Sequence, residues 1–119
     1  MKVRCTNILD GFGRPVNHSS WVKIGDIYHV LSILIAPGKI RYQLVGGEPI
    51  PALFESQMFE IVSSIIPETW QVYSPKLGCL ALEPSAWQTS DFWEDYFNDK
   101  SEAIDCFEEE RRKIIESDP

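Results

Sequence analysis

The sequence predicts a single α+β domain, residues 1–119, in which a β-rich part (1–65) precedes a β-hairpin and two acidic α-helices (66–119). In the first part, short apolar runs are separated by turn residues such as Pro37-Gly38, which indicates several short strands. In the last thirty residues, apolar side chains recur at helical spacing. With 119 residues, of which 44% are hydrophobic, the chain has the length and the side chains for one core.

The first 20 residues predict one strand and a long loop, and Trp21–Ile24 approaches a second element that Gly25-Asp26 interrupts. Apolar and charged residues alternate in Met1–Thr6, with Val3 and Cys5 on one face, as in a strand that has one solvent-exposed face. Residues 7–20 are rich in glycine, proline and asparagine and predict a loop. Because long loops concentrate binding function, this segment is a candidate ligand loop.

A β-hairpin is the clearest local pattern. Ile27–Ile35 is dense in branched and aromatic residues and predicts one buried strand, and Lys39–Val45 alternates as a second strand. Gly46-Gly47 and the prolines that follow predict irregular structure, and Ser56–Val62 predicts a further strand. Four or five short antiparallel strands suggest a small curled sheet or a partly open barrel.

The second part predicts a hairpin and two helices. Trp70–Tyr73 and Leu77–Leu82 flank a Ser-Pro-Lys turn and predict the hairpin. Asp91–Asn98 predicts a short helix, and residues from Asp99 to about Ile115 predict a longer one. Each helix has polar residues before it or at its start that predict a side-chain cap.

The net charge of −7 is placed unevenly along the chain. Residues 1–65 hold six Lys/Arg and five Asp/Glu, whereas residues 66–119 hold five Lys/Arg and thirteen Asp/Glu. An acidic half disfavours nucleic acid and anionic membranes and favours basic partners. The longest apolar run, Ile27–Ala36, is far shorter than the roughly 20 residues of a membrane helix, and the first residues do not form a signal peptide. We therefore expect a cytoplasmic protein.

No pattern in the sequence predicts catalysis, a metal site or a cofactor. Phosphate-binding, zinc-protease and nucleophile-elbow motifs are absent. Cys5, Cys79 and Cys106 are widely spaced, and neither histidine lies at a ligand spacing from one of them. We expect no enzyme activity. The alternative left open is a small-ligand-binding barrel or enzyme that uses the 7–20 loop and His29.

Carboxylates and aromatic side chains crowd the two predicted helices. At helical spacing the carboxylates form an acidic face on each helix, while Phe92 and Tyr96 share one face of the first helix and Trp93 and Phe97 another. A solvated helix surface accounts for the carboxylates equally well. The functional interpretation is a surface for a basic protein, because complementary charge speeds encounter and rejects wrong partners. The predicted partner-binding residues are Asp91, Trp93, Glu94, Asp95, Tyr96, Asp99, Glu102, Asp105 and Glu109.

Basic and aromatic residues also alternate in the first part, which is typical of surfaces that bind single-stranded nucleic acid. The near-neutral charge of this part and the acidic second part argue against that function. We therefore expect no nucleic-acid partner. The residues of this pattern are Arg4, Phe12, Arg14, Trp21, Lys23, Lys39, Arg41 and Tyr42.

Two stretches resemble known small bacterial proteins. Trp21–Val62, with a Gly-x-x-Tyr-x-Val strand at 25–30 and Phe-Glu-x-Val at 59–62, resembles domains with an SH3-like β-barrel. Leu82–Ile114 resembles the C-terminal part of small bacterial proteins, some of which look like immunity proteins of polymorphic toxin systems. The resemblance implies a cytoplasmic inhibitor that binds its toxin. A structural or phage-type accessory module is the remaining alternative.

Overall fold

Ten strands and two α-helices make up the computed structural model, which describes residues 1–119. The helices are α1 (Phe92–Phe97) and α2 (Ser101–Ser117), and two 3₁₀ turns lie at Ser56–Met58 and Ser85–Trp87. The strands are β1 (Lys2–Cys5), β2 (Ile8–Leu9), β3 (Pro15–Val16), β4 (Ile27–His29), β5 (Ser32–Ala36), β6 (Lys39–Val45), β7 (Pro51–Glu55), β8 (Phe59–Ser63), β9 (Trp70–Tyr73) and β10 (Leu80–Pro84). The α+β class and the two C-terminal helices are confirmed.

The strands form three antiparallel sheets. Their orders are β4-β1-β8, β7-β6-β5-β10-β9 and β2-β3. The predicted antiparallel sheet is therefore present, but the sheets do not close into a barrel. The second hairpin, β9-β10, extends the larger sheet because Leu82 of β10 pairs with Ile33 of β5.

The burial of the side chains of β1 confirms the alternation predicted from its sequence. Val3 and Cys5 are almost fully buried, whereas Lys2 and Arg4 are half-buried. Strand β1 lies in the centre of the three-stranded sheet, between β4 and β8. Its inward face therefore contributes to the one core of the molecule.

The prediction of one strand over Ile27–Ile35 is wrong. The chain leaves β4 at Val30 and enters β5 at Ser32, so the two pieces belong to different sheets. The N–H of Val30 donates to the carbonyl oxygen of Met1 (3.0 Å), while the N–H of Leu31 donates to that of Gln43 (2.8 Å). The hairpin itself is confirmed over β5 and β6, with its turn at Pro37-Gly38.

Three segments have a secondary structure different from the one predicted. The 7–20 loop contains the short ribbon β2-β3, the proline-rich stretch forms β7, and Ser56–Met58 is a 3₁₀ turn that precedes β8. Gly46 is required where this region meets the 20–22 segment. A Cβ atom there would collide with the carbonyl oxygen of Trp21, which accepts a hydrogen bond from the N–H of Gly47 (2.8 Å).

Helices α1 and α2 begin without the side-chain caps that the sequence predicts. Residue Asp99, in the turn between them, has a φ of 59°, a left-handed conformation that Asp tolerates better than most residues. Helix α2 runs to Ser117, so Arg111–Lys113 lie ahead of its last turn. No helix of the chain is long and apolar enough to cross a membrane.

The end of the chain is fixed to its beginning through Asp118. The hydroxyl of Ser63 donates to the Asp118 carboxylate (2.6 Å), and the ammonium of Met1 lies 3.0 Å from the same oxygen. The hydrogen bond from Ser63, together with the neighbouring ammonium, holds the pKa of Asp118 below its usual value. The Nε2 atom of His29 lies 2.7 Å from the Asp118 carbonyl oxygen. These bonds fasten α2 to the three-stranded sheet.

Candidate functional site

An aromatic cluster joins α1 and α2 and sets the positions of the acidic side chains. At its centre, Trp87 is almost fully buried and stacks on Phe107 of α2, with ring centroids 5.1 Å apart and planes 21° from parallel. Phe92 of α1 also stacks on Trp87, with ring centroids 6.3 Å apart. Aromatic pairs at these distances contribute beyond their buried area, so this cluster stabilises the packing of the two helices.

The two aromatic faces predicted for the short helix have different environments. Phe92 and Tyr96 belong to the core, and Tyr96, predicted to touch a partner, is only 8% exposed and packs on Phe107 at 5.0 Å. Burial raises the pKa of Tyr96, and the nearby Glu108 acts in the same direction. Its hydroxyl-bearing ring is therefore part of the interior rather than of the exposed surface.

Trp93 and Phe97 form the outer aromatic pair. Trp93 is half-buried, and its ring centroid lies 6.1 Å from that of Phe97. Phe97 is 56% exposed and was not among the predicted partner-binding residues. Its place on the same helical face as Trp93 was the signal in the sequence that could have identified it.

The carboxylates of the two helices divide into a paired and an unpaired set. In the C-terminal half of α2, Glu109 and Glu116 both bind the guanidinium of Arg112, at 2.6 Å and 2.7 Å. The hydrogen bonds from Arg112 hold the pKa of Glu109 below its usual value. Glu108 pairs with Arg111, and Glu110 pairs with Lys113. In this half, each of the four glutamates therefore has an ion-pair partner on the same helix.

The other predicted acidic residues have almost no such compensation. Asp95 pairs with Lys100 at 3.2 Å, and it is the only carboxylate between residues 91 and 105 with an ion-pair partner. The exposed carboxylates without one are Asp91, Glu94, Asp99, Glu102 and Asp105. We call these five residues with Trp93 and Phe97 the acidic surface. It includes five of the nine side-chain carboxylates of the chain that have no ion-pair partner.

A shallow groove of about 390 Å³ runs across this region at the start of α2. Asp95, Lys100 and Glu102 line it, so both signs of charge are present at its edges. No group of three or more histidine, cysteine or acidic side chains is arranged to hold a metal ion anywhere in the chain. The region presents unpaired carboxylates and the exposed ring of Phe97.

His29 and the 7–20 loop, which the alternative hypothesis combines, do not line a common cavity. The loop borders an open cleft of about 590 Å³ between the β2-β3 ribbon and strands β6 and β7. His29 lines a separate depression of about 120 Å³ with Arg111 and Ile115 of α2. Neither of these two cavities is therefore lined by both groups.

The three arginines of the basic and aromatic pattern in the first part each have an ion-pair partner. Arg4 pairs with Glu60 at 2.7 Å, and Arg41 pairs with Glu55 at 3.0 Å. Arg14 pairs with Asp10, and its guanidinium carbon lies 5.1 Å from the centroid of the exposed ring of Phe12. Each of these three arginines therefore has its own carboxylate, whereas Lys23 and Lys39 are exposed.

Comparison with protein-family models, with curated proteins and with solved structures gives no match for this chain. The resemblance to immunity proteins and to SH3-like barrels is therefore still a prediction. The candidate site rests on the geometry of the acidic surface alone.

Proposed function

We propose that this chain is a protein-binding module that docks a basic partner on its acidic surface. The observation that carries the proposal is the separation of the carboxylates into two sets. Those of the C-terminal half of α2 are paired with arginine and lysine, whereas the five carboxylates of the acidic surface have no ion-pair partner. A partner with exposed lysine or arginine side chains would supply the missing positive charge.

The arrangement suits rapid and selective association. Complementary charge raises association rates and rejects partners of the wrong sign, and it acts over a Debye length of about 8 Å at physiological salt. Phe97 and the half-buried Trp93 supply apolar area on the same short helix as Glu94. Aromatic side chains in such positions are often the residues that contribute most to binding.

The most specific form of the proposal is a cytoplasmic, immunity-type inhibitor that occludes the basic active site of a toxin. It is supported by the net charge of −7 and by the resemblance of Leu82–Ile114 to immunity proteins. In this form the two helices act together as a lid, since the aromatic cluster joins them. Inhibition by occlusion requires no catalytic group in this chain.

The proposal is tested by capturing partners from the native host with the tagged chain and identifying them by mass spectrometry. We expect one stoichiometric basic protein that is retained by the parent and lost when Glu94→Gln, Glu102→Gln and Asp105→Asn are combined. These three side chains are exposed and unpaired, so the fold should be unchanged by circular dichroism.

A matched control removes the same amount of charge elsewhere. Asp26→Asn, Glu48→Gln and Glu68→Gln change three carboxylates that are outside the acidic surface and also have no ion pair. Both triple variants carry a net charge of −4, which is −7 plus three. If the control loses the partner as completely as the first variant, net charge rather than the acidic surface governs binding, and the proposal is wrong.

A second candidate function, binding of a small ligand, is favoured by the 590 Å³ cleft beside the β2-β3 ribbon. Its lining includes Phe12, Lys39 and Arg41, but not His29. Saturable binding of a small molecule that is abolished by Phe54→Ala, a cleft-lining change, and not by the acidic triple variant would favour this function. Capture of a basic protein through the acidic surface would favour the first.

A further inference from the structure

Strand β9 is an edge of the five-stranded sheet, and it lacks the features that protect the edge strands β7 and β8. It carries no charged residue and pairs with β10 in an unbroken register. By contrast, β7 begins at Pro51 and ends at Glu55, which is paired with Arg41. Strand β8 contains Glu60, and its register with β1 is irregular. An unpaired and unprotected edge is a template for another strand.

The hydrogen-bond pattern of β9 directs the main chain of Val72 away from the sheet. Trp70 lies opposite Pro84, which has no N–H, and the N–H of Trp70 donates instead to the carbonyl oxygen of Pro67 (3.2 Å). This pair therefore exchanges no hydrogen bond. Hydrogen-bonded and non-bonded pairs alternate along an antiparallel ladder. Gln71 and Tyr73 therefore bond to β10, whereas the N–H and C=O of Val72 point away from β10, toward the open edge.

The side chains at this edge are apolar and free of negative charge. Val72 is 66% exposed, Leu77 in the hairpin turn is fully exposed, and Leu80 on β10 is 45% exposed. Between residues 70 and 82 the only charged residue is Lys76. Two copies of an otherwise acidic chain can therefore approach here without repulsion between carboxylates.

We propose that β9 pairs antiparallel with β9 of a second copy, about a twofold axis at Val72, and that the two five-stranded sheets become one ten-stranded sheet. This register places the outward N–H and C=O of both Val72 residues opposite each other, so that both are satisfied at once. It also brings the two exposed valine side chains together on one face. The edge is self-complementary, as an interface with twofold symmetry requires.

The size of the edge sets the expected strength of the dimer. The edge strand is four residues long, whereas specific, stable interfaces involve about 20–30 residues per partner. We therefore expect a dimer that dissociates on dilution. The inference does not depend on the proposed function, because the edge strand lies outside the acidic surface.

Sedimentation equilibrium over a wide range of protein concentration tests the proposal. The apparent mass of the parent should rise from 13.6 kDa toward twice that value. Val72→Lys should stay monomeric, because it places like charges opposite each other across the axis. Ile61→Lys, at a 54% exposed position on the edge strand β8, is the matched control and should associate like the parent. A parent that stays monomeric, or equal association of the parent and Val72→Lys, would overturn the proposal.

Cross-linking tests the register separately. Opposite residues of a bonded antiparallel pair have Cα atoms about 5.5 Å apart, which lies within the roughly 4.4–6.8 Å range of disulfides. With oxidised glutathione as the oxidant, Val72→Cys should form a disulfide-linked dimer, and Ile61→Cys should do so much more slowly. Equal rates for the two variants would mean random collision and would refute the twofold register.

Discussion

Glu83 on β10 is a carboxyl group buried without a partner. It is 7% exposed, and its side chain forms no hydrogen bond and no ion pair. Burial alone raises its pKa from 4.5 to about 7. The folded protein therefore favours the neutral form of this side chain, whereas the unfolded chain ionises it at an ordinary pH.

The sign of the effect on stability follows from this difference. Near pH 4 the side chain is protonated in both states, and the burial costs little. As the pH rises above 4.5, only the unfolded state ionises, so the free energy of unfolding decreases until the pH passes about 7. A shift of this size at about 1.4 kcal/mol per pKa unit corresponds to about 3 kcal/mol of stability lost between pH 4 and pH 8.

Glu83→Gln removes this titration and keeps the size of the side chain. The free energy of unfolding of the variant minus that of the parent should increase by about 3 kcal/mol between pH 4 and pH 8. Urea unfolding followed by tryptophan fluorescence at each pH measures both values, and the contributions of other groups cancel in the difference. If that difference is the same at all pH values, Glu83 is not buried as an unpaired acid and the reasoning fails.

Two further changes test the contacts that hold the segments together. Asp118→Asn leaves the buried ammonium of Met1 without its counter-charge and should cost about 2 kcal/mol at pH 7. Since the pKa of Asp118 is lowered in the fold, the cost should shrink as the pH falls below 4, which urea unfolding at several pH values will show. Gly46→Ala should also cost about 2 kcal/mol, because its Cβ atom would collide with the carbonyl oxygen of Trp21. Gly11→Ala, where a Cβ atom meets nothing within 4 Å, should change the melting temperature little, and an equal loss in both glycine variants would contradict the argument.

The sequence predicts those parts of the fold that depend on local signals. The β5-β6 hairpin is an example, because Pro37-Gly38 and the alternation of the flanking residues act within a few positions. The break between β4 and β5 has no such signal. It arises because the N–H groups of Val30 and Leu31 bond to two distant segments, at Met1 and Gln43. The residue pattern alone therefore predicts one continuous strand over Ile27–Ile35.

Strand β7 was missed for a different physical reason. Its prolines suggest irregular structure, but Pro51 is the first residue of an edge strand, a position where a missing N–H is tolerated. Whether a strand lies at an edge depends on the order of the whole sheet. The sequence shows the proline and not its neighbours in space.

The negative charge of the candidate site was predictable from the sequence. Which of its side chains are exposed was predictable only in part. The spacing of Glu109 and Arg112 along α2 already indicates an ion pair. Which aromatic face of α1 is buried could not be predicted, because both faces are equally apolar. The packing of α2 on the short helix places Tyr96 against Phe107 and leaves Phe97 exposed.

The pairing of β10 with β5 has a consequence for the order of folding. The paired residues Ile33 and Leu82 are 49 positions apart, whereas β5, β6 and β7 are connected by short turns. Local hairpins close in microseconds, while contacts between distant segments form late. During synthesis, the edge of β5 that presents Ile33 and Ile35 therefore stays unpaired until the second hairpin has left the ribosome. Pulsed hydrogen exchange during refolding should accordingly show protection of β6 before β10, and the interval between the two is the period in which the chain is most exposed to aggregation.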